Sequence, residues 1–332
     1  MKSLVSRQQK VQIIERAIPK VKPFYLLIKT LHSVISPGTE LSLVEISGDK
    51  EIGLGYSAVG VVVECGEGVN GYQKEDLVAC YGAPYVGHSE YLLVPTTLCA
   101  KVPSGVDPKE AALAGIGAIA IHALRVAKLE FGETVAIIGL GLLGQMIAKI
   151  ATAASYDVVA FDIHSERATM LSGEDNIRAY STILEMESEL ERCTKSHGAD
   201  AVLLCAGGKR STLTDKSLDW VRPQGKVVIV GDIEPDFPRS KLFSKEAQIL
   251  ISRAGGPGRY DPVYERQAID YPYGYVRWTE GRNVAEYLRL VCEKRINVQP
   301  FLTDEVDFKD VPTAFDELMN KKSTTLTKLI NY

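Results

Sequence analysis

Three glycines are the residues of this sequence whose spacing points most directly to a chemical purpose. Gly139, Gly141 and Gly144 form a G-x-G-x-x-G pattern directly after the apolar run Thr134–Ile138. The first glycine permits a tight turn, the second lets the backbone approach a pyrophosphate, and the third lets a helix pack closely against the strand. The pattern predicts a dinucleotide site, and hydride transfer is the chemistry that such a site would serve.

Asp162 strengthens this prediction. It ends the next apolar run, where a carboxylate accepts a hydrogen bond from the ribose 2′-hydroxyl of NAD and repels the 2′-phosphate of NADP. The residues 163–165 that follow include no arginine. Leu142 and Leu143 begin the predicted helix, so their backbone N–H groups would face the phosphates. The sequence favours NAD over NADP; the alternative is an α/β domain with an incidental glycine turn.

The first 110 or so residues that surround these motifs are typical of a β-rich region. Short apolar or β-branched runs alternate with turns that contain Gly, Asn or Asp. We predict a turn at Ser36–Thr39 and only small helices here. The predicted strands are Phe24–Leu31, Val59–Glu64, Leu77–Cys80 and Tyr91–Pro95.

Strands and helices alternate in the next part of the chain, which predicts a doubly wound parallel sheet of the Rossmann type. The C-terminal part reads as two amphipathic helices and a returning strand. The predicted helices are Pro108–Leu129, Leu142–Ser155, a helix opening at Glu166–Ser172, Val284–Lys294 and Asp310–Asn320. The predicted strands are Thr134–Gly139, Val158–Asp162, Ala201–Cys205, Lys226–Val230, Gln248–Ser252 and Leu326–Ile330.

Length and composition narrow the class of protein. A chain of 332 residues is long enough for two domains. Its content of 45% hydrophobic and 24% charged residues is typical of a globular protein. A formal charge of −4 argues against nucleic acid and anionic membranes as partners. We expect no secretory signal and no membrane span. Six scattered cysteines without a CxxC pair favour a reduced, cytoplasmic setting.

Several segments resemble the medium-chain dehydrogenase/reductase superfamily over essentially the whole chain. The resemblance implies a GroES-like catalytic domain at 1–117 and 281–332, a Rossmann NAD-binding domain at 118–280, and an active site in the cleft between them. It also implies a homodimer formed through the edge strand Gln248–Ser252. The supporting segments are Gly53–Gly66, Gly71–Val78, Gly87–Tyr91, Val94–Pro95 and Ala111–Leu124.

The sequence departs from the zinc-containing members of this family. A catalytic zinc needs three protein ligands, usually Cys, His and a third Cys, Asp or Glu. The resemblance puts Pro37 and Tyr56 at the first two ligand positions and Ile116 near the third. The four-cysteine structural zinc segment expected between Leu77 and His88 is missing. The resemblance therefore implies a zinc-independent subgroup, which is similar to dehydrogenases of polysaccharide and sugar pathways.

Without zinc, side chains must move the proton that accompanies the hydride. Thr39 keeps the hydroxyl that touches the substrate oxygen in zinc members, and Glu40 lies beside it. Tyr56 could donate a hydrogen bond, or act as acid and base if its pKa is lowered. His88 is the fourth candidate. The alternatives are that Tyr56 fills the volume left by the metal, that Glu40 is a structural carboxylate and that His88 belongs to a turn.

Two further regions carry predicted contacts. Ala206, Gly207 and Gly231 follow later strands of the Rossmann domain and resemble segments that lie along the nicotinamide ring. An aromatic, arginine-rich stretch over 252–282 could bind a sugar ring or an anionic group, because Arg grips carboxylate or phosphate in a fork; a packed dimer or interdomain surface is the alternative. The candidate substrate residues of this stretch are Arg253, Arg259, Tyr260, Arg277 and Trp278.

We therefore expect a zinc-independent, NAD-dependent oxidoreductase that acts on a secondary alcohol or ketone of a polyol, cyclitol or sugar-like substrate. One alternative is an NADPH-dependent quinone or enone reductase. Another is a dinucleotide-binding protein without catalysis. The sequence leaves the substrate, the direction of the reaction and the acid–base residue open.

Overall fold

The computed structural model describes residues 1–174, 176–209, 211–320 and 325–332. The chain forms two compact units: unit 1 comprises Met1–Ile119 and Ala254–Tyr332, and unit 2 comprises Ala120–Arg253. The chain thus re-enters unit 1 at Ala254, whereas the second segment of the catalytic domain was expected to begin at residue 281. The physical reason is that Tyr264 is buried in the strand core of unit 1, so the aromatic stretch belongs to that unit.

The first part of unit 1 is rich in short strands, as predicted. One difference concerns the predicted turn at Ser36–Thr39, where a helix begins at Pro37 because proline supplies a helical φ at the first position. The strands are β1 (Lys2–Arg7), β2 (Lys10–Glu15), β3 (Tyr25–Val34), β4 (Ile52–Gly53), β5 (Ser57–Cys65), β6 (Leu77–Tyr81), β7 (Tyr91–Pro95) and β8 (Cys99–Lys101); the helices are α1 (Pro37–Glu45), α2 (Pro108–Ala111) and α3 (Ala114–Ala127).

Unit 2 alternates strands and helices. Its six strands are all parallel, in the order β11-β10-β9-β12-β13-β14. This is the strand order of a Rossmann sheet, so the predicted fold class is confirmed. The strands are β9 (Thr134–Ile138), β10 (Asp157–Phe161), β11 (Ile177–Tyr180), β12 (Ala199–Leu204), β13 (Val221–Ile229) and β14 (Gln248–Ile251); the helices are α4 (Leu142–Ala153), α5 (Ser165–Leu171), α6 (Ile183–Cys193), α7 (Leu213–Trp220) and α8 (Arg239–Lys245).

The C-terminal segment completes unit 1. Strand β16 pairs with β3, so the chain end joins a sheet of order β15-β16-β3-β5-β6-β8, to which β7 adds beside β3. A second, three-stranded sheet has the order β2-β1-β4. The remaining elements are α9 (Pro262–Gln267), α10 (Glu280–Cys292), α11 (Val311–Met319), β15 (Glu305–Asp307) and β16 (Leu329–Asn331).

Parallel register is what positions the site residues of unit 2. Phe161 of β10 and Leu204 of β12 both lie opposite Ile138 of β9. The three strands therefore end at the same edge of the sheet, and the residues that follow them meet there. Across the described part of the chain, no helix has the length and apolar character needed to cross a bilayer.

Candidate active site

The predicted glycine turn lies at the carboxyl end of β9. Gly139 has φ of +99°, a backbone conformation that favours glycine. A Cβ on Gly144 would lie 1.9 Å from the carbonyl oxygen of Gly139, so helix α4 approaches the strand as closely as it does only because residue 144 is glycine. A Cβ on Gly141 would meet no heavy atom of the described chain within 4 Å. Open space therefore lies above the turn.

The N-terminus of α4 faces that turn. Gly141 is the N-cap residue, and the first intrahelical bond runs from the Gln145 N–H to the Gly141 carbonyl oxygen. The N–H groups of Leu142, Leu143 and Gly144 belong to the first turn, whose donors lack partners within a helix. Together with the positive end of the helix dipole they suit a pyrophosphate. The geometry fits the predicted dinucleotide.

Asp162 directly follows β10 and is 5% exposed. Its Oδ2 accepts the N–H of Leu140 at 2.6 Å and its Oδ1 accepts the N–H of His164 at 2.8 Å. These bonds tie the carboxylate to the glycine turn, so its position relative to that turn is rigid. Arg167 Nη1 lies 3.6 Å from Oδ2, a neighbour that the sequence prediction missed because it considered only the next three residues.

The segments predicted along the nicotinamide lie at the same sheet edge. The Ala206 N–H donates to Ile138 O at 3.1 Å, and the Gly231 N–H donates to Leu204 O at 2.8 Å. A Cβ on Gly231 would lie 2.4 Å from the Ala206 carbonyl oxygen. Gly207 is also close to the β13 side, since a Cβ there would lie 3.2 Å from Asp232 O. These backbones thus lie next to one another beyond the strand ends.

In unit 1, two of the predicted catalytic residues form a buried pair. His88 Nε2 lies 2.9 Å from Glu40 Oε2, and both side chains are fully enclosed. Glu40 Oε1 accepts the backbone N–H of Ser36 at 2.7 Å, which caps the start of α1. Both oxygens of Glu40 therefore have partners. The Glu40–His88 pair is therefore anchored to the start of α1.

The hydrogen-bonded chain continues beyond His88. Ser33 Oγ lies 2.8 Å from His88 Nδ1 and 2.9 Å from the Tyr332 hydroxyl. If the His88 Nε2–H donates to Glu40, the neutral ring accepts the Ser33 proton at Nδ1, and Tyr332 donates to Ser33. Sequence reasoning missed Ser33 and Tyr332, because strand pairing between β3 and β16 brings them together across 299 positions.

Tyr56 is partly buried beside this network. Burial is the main cause that raises the pKa of Tyr56 to about 12. The charge of Glu40 contributes to this rise, and hydrogen bonding toward Ser36 and Thr39 opposes it. An acid–base role for Tyr56 through a lowered pKa is therefore not supported, because its pKa is raised. The phenol stays protonated at neutral pH and suits donation to an oxygen. Thr39 lies one residue before Glu40 on α1 and is exposed.

The donor set of unit 1 does not fit a zinc ion. The three implied ligand positions hold Pro37, Tyr56 and Ile116, and Ile116 is buried and apolar. Within 1–174, 176–209, 211–320 and 325–332, no group of three or more His, Cys, Asp or Glu side chains could hold a metal ion. Ser57, which follows Tyr56, instead donates to Ala112 O at 2.6 Å and accepts the Gly115 N–H at 2.9 Å.

Arg259 and Tyr260, two candidate substrate residues, lie in a polar cluster of unit 1. Arg259 Nη1 contacts Glu265 Oε1 at 2.7 Å, and the Tyr260 N–H donates to the same oxygen at 3.0 Å. The Arg259 guanidinium also lies 4.3 Å from the centre of the Tyr260 ring. The charge of Arg259 is therefore largely compensated by a neighbour within the chain.

The other candidate substrate residues lie elsewhere. The Arg277 guanidinium lies 3.6 Å from the centre of the Trp278 ring and 4.4 Å from that of Tyr273. Arg277 and Tyr273 are exposed, so this stack is a cation–π surface of unit 1. Arg253 is exposed and is the last residue of unit 2. Within unit 1, the candidates thus include two cation–π pairs, Arg259 with Tyr260 and Arg277 with Trp278.

Comparisons with known proteins agree with this geometry. Residues 139–268 match the family model described as zinc-binding dehydrogenase. The 2-dehydro-3-deoxy-L-galactonate 5-dehydrogenase of Pseudoalteromonas atlantica is 22% identical over an alignment of 291 positions, which covers 79% of this chain and 77% of that protein.

Solved structures cover the whole chain. Galactitol-1-phosphate dehydrogenase of Escherichia coli superposes with a TM-score of 0.81 at 20% identity and covers 100% of both chains. An alcohol dehydrogenase of E. coli CFT073 complexed with NADH superposes with a TM-score of 0.80 at 19% identity, covering 100% of this chain and 99% of that one. Residues 139–268 are thus similar in sequence to zinc-binding dehydrogenases, and the chain as a whole shares the fold of these solved dehydrogenases.

Proposed function

We propose that this protein is an NAD-linked, zinc-independent dehydrogenase that interconverts a secondary alcohol and a ketone on a polyol, cyclitol or sugar-like substrate. The observation that carries the proposal is the Asp162 carboxylate, held against the glycine turn by the N–H groups of Leu140 and His164. It is a rigid acceptor where the ribose hydroxyls of NAD would bind.

The residues of unit 2 would hold the cofactor in three places. The N–H groups at Leu142 and Leu143 would bind the pyrophosphate, Asp162 the adenosine ribose, and the backbone around Ala206 and Gly231 would accommodate the nicotinamide end. Bound NAD supplies the hydride acceptor that no amino-acid side chain provides.

Tyr56 is the residue we propose to meet the substrate oxygen. Its phenol stays protonated, so it donates a hydrogen bond to that oxygen and, in the direction of ketone reduction, a proton. The buried Glu40–His88 pair lies behind it, and Ser33 and Tyr332 extend the chain of hydrogen bonds. In this proposal Thr39 and Glu40 connect the phenol to that chain.

Zinc independence is supported by the donor set. Pro37 and Ile116 offer no metal-binding atom, and Tyr56 serves as a hydrogen-bond donor. Metal analysis by mass spectrometry tests this point: we expect less than a tenth of an equivalent of zinc and activity that survives dialysis against a chelator. Stoichiometric zinc whose removal abolishes turnover would contradict the proposal.

The substrate class is supported by relatives that are named for sugar acids and sugar alcohols, among them dehydrogenases of 2-dehydro-3-deoxy-L-galactonate and galactitol 1-phosphate. The cation–π stack of Arg277, Trp278 and Tyr273 offers aromatic and cationic surface of the kind that contacts sugars and anionic groups.

Arg167 favours one second candidate, an NADPH-dependent reductase. Its guanidinium lies 3.6 Å from Asp162 and could rotate toward a 2′-phosphate. We place it second because the buried carboxylate of Asp162 would lie beside that phosphate and repel it.

We also propose a homodimer through the edge of the unit 2 sheet. Among the described strands β14 is last in the sheet order, and Ile251 on β14 and Phe243 on α8 are 69% and 76% exposed. Light scattering after chromatography should give twice the mass of the 36.3 kDa chain, and an Ile251→Lys variant should give a monomer. A cytoplasmic location remains a prediction; all six cysteines are free thiols.

The decisive experiment is a cofactor-coupled assay. The formation of NADH from NAD, or of NADPH from NADP, is followed by absorbance with a panel of inositols, hexitols and nucleotide sugars. The oxidation of NADH or NADPH is followed in the same way with quinones and enones. Turnover of a polyol with NAD supports the proposal. Turnover of only enones or quinones with NADPH supports the second candidate. Tight NAD binding without turnover of any compound would identify a non-catalytic dinucleotide-binding protein instead.

A further inference from the structure

Glu280, the first residue of helix α10, is a buried acid without a hydrogen-bond partner. Its side chain is 0% exposed, and among the described residues neither carboxyl oxygen has a partner. The backbone around it is fully bonded: the Glu280 N–H donates to Pro257 O at 2.9 Å, and Thr279 caps the helix. An unpaired carboxyl in such a place costs stability, so a purely structural role would be better served by an apolar residue.

Arg259 is the cation whose charge acts on Glu280, and it is already paired with another carboxylate. Arg259 lowers the pKa of Glu280, but its guanidinium forms an ion pair with Glu265 at 2.7 Å. Burial, the largest cause, raises the pKa of Glu280 to about 8, and Glu265 raises it as well. Glu280 is therefore largely protonated at neutral pH, with one O–H to donate and oxygen lone pairs to accept.

Tyr81 connects this acid to Tyr56. A Cβ placed on Gly255 would lie 2.6 Å from Tyr81 Cε1 and 3.1 Å from Glu280 Cβ, so the ring and the acid flank the same glycine. The ring centres of Tyr56 and Tyr81 are 6.1 Å apart, and the two ring planes are nearly perpendicular. Tyr56, Tyr81 and Glu280 thus form one continuous row inside unit 1.

We propose that Glu280 is a hydroxyl-binding subsite that recognises a polyhydroxylated substrate at a position away from the carbon that is oxidised. The inference rests on the proposed function, since it takes Tyr56 as the residue that meets the reacting oxygen. A substrate hydroxyl group would accept from and donate to the Glu280 carboxyl, and so supply the partners that the folded chain does not.

The charges around Glu280 favour a neutral ligand group. Arg259 and Glu265 form an ion pair and largely compensate each other, and Glu280 is itself protonated at neutral pH, so no net charge attracts an ammonium or a carboxylate group. A hydroxyl carries no charge and both donates and accepts. Compounds with hydroxyl groups on neighbouring carbons, such as inositols and hexitols, match this requirement.

The test compares Glu280→Met with the wild-type protein, because methionine has a similar length and no hydrogen-bonding carboxyl. If the role of Glu280 is to bind a substrate hydroxyl, the variant should be more stable than the wild-type protein and should bind polyols more weakly. At pH 8.5 we expect its Tm to rise by about 2 °C or more. We expect its KM for myo-inositol or galactitol to rise about tenfold or more, with the KM for cyclohexanol changed less than twofold.

Glu293→Met at the exposed end of the same helix is the matched control, and it should change neither KM. A lower Tm for Glu280→Met would show a structural carboxyl and overturn the proposal. An equal rise in KM for polyols and cyclohexanol, or no rise, would overturn it as well, because the hydroxyl groups would then not be the recognised feature.

A readout that needs no turnover separates this inference from the proposed function. High concentrations of myo-inositol or galactitol should raise the Tm of the wild-type protein in the presence of NAD and leave that of Glu280→Met unchanged. If that difference is seen but no alcohol is oxidised, the subsite stands and the proposed reaction fails. If alcohols are oxidised but both proteins are shifted equally, the reaction stands and the subsite fails.

Discussion

His88 Nε2 lies 2.9 Å from Glu40 Oε2, with both side chains removed from solvent. Each residue also has a second partner, the Ser36 N–H for Glu40 and the Ser33 hydroxyl for His88. Removal of one member therefore leaves the other buried without its partner, whereas removal of Ser33 leaves the pair itself intact.

The stability of the His88–Glu40 pair can be measured by urea unfolding. We expect His88→Ala to lower the free energy of unfolding by about 3 kcal/mol or more, because one oxygen of Glu40 is left buried without its partner and the missing ring leaves a cavity. Ser33→Ala should cost only about 2 kcal/mol, since it removes two neutral hydrogen bonds, those to His88 Nδ1 and to the Tyr332 hydroxyl. Equal costs for the two variants would show that the pair is not the important contact.

Tyr56→Phe tests the proposed proton donor. Because the phenol is protonated and the ring remains, we expect the kcat for ketone reduction to fall about a hundredfold or more while Tm changes little. Tyr156→Phe in unit 2, whose hydroxyl only approaches Leu129 O at 3.4 Å, is the matched control and should keep full activity. A wild-type rate in Tyr56→Phe would remove this residue from the chemistry.

Asp162 and Arg167 decide the choice of cofactor in our proposal. Asp162→Asn keeps one oxygen acceptor and loses the charge, so we expect NAD affinity to fall about tenfold or more and NADP affinity to rise. Adding Arg167→Ala should abolish the gain for NADP, because the arginine is the available partner of the 2′-phosphate. Fluorescence titration of both cofactors measures these affinities; an unchanged NAD/NADP ratio would contradict the assignment.

Glu280 predicts a pH dependence of stability. Its pKa in the folded state is raised from 4.5 to about 8, so the folded chain binds a proton that the unfolded chain releases. Stability from this group is present below about pH 4.5 and is lost as the pH rises toward 8. The groups that face it, Arg259, Glu265 and Tyr81, are unchanged in a Glu280→Gln variant.

The measurement is Tm of the wild-type protein and of Glu280→Gln from pH 5 to pH 9. We expect the variant to gain several degrees relative to wild type across this range, because the amide does not ionise. Parallel curves for the two proteins would show that Glu280 is not protonated in the folded state.

The residues of the proposed dinucleotide site could be identified from the sequence because they lie close together along the chain. Gly139, Gly141 and Gly144 lie within six residues, and Asp162 ends the following strand, so strand–turn–helix periodicity suffices to place them at one sheet edge. The parallel direction of the unit 2 strands was predictable from the alternation of strands and helices, whereas their order in the sheet and strand β11 were not predicted. Arg167 was not predicted as a neighbour of Asp162, because it lies five residues further along the chain and helix α5 brings it close.

The polar contacts of unit 1 could not be predicted, because they join residues that are far apart in the sequence. The sequence by itself determined the strand-rich character of this part and, in unit 2, the glycine motif. It also has Pro37 and Ile116, whose side chains carry no metal-binding atom, at or near two positions where the family resemblance implies zinc ligands. Only the tertiary structure decided that Glu40 bonds to His88, that Ser33 meets Tyr332, and that Glu280 is enclosed without a partner. The physical reason is that hydrogen bonding and burial depend on which strands and helices pair across long separations, and these pairings are decided by the packing of the whole core.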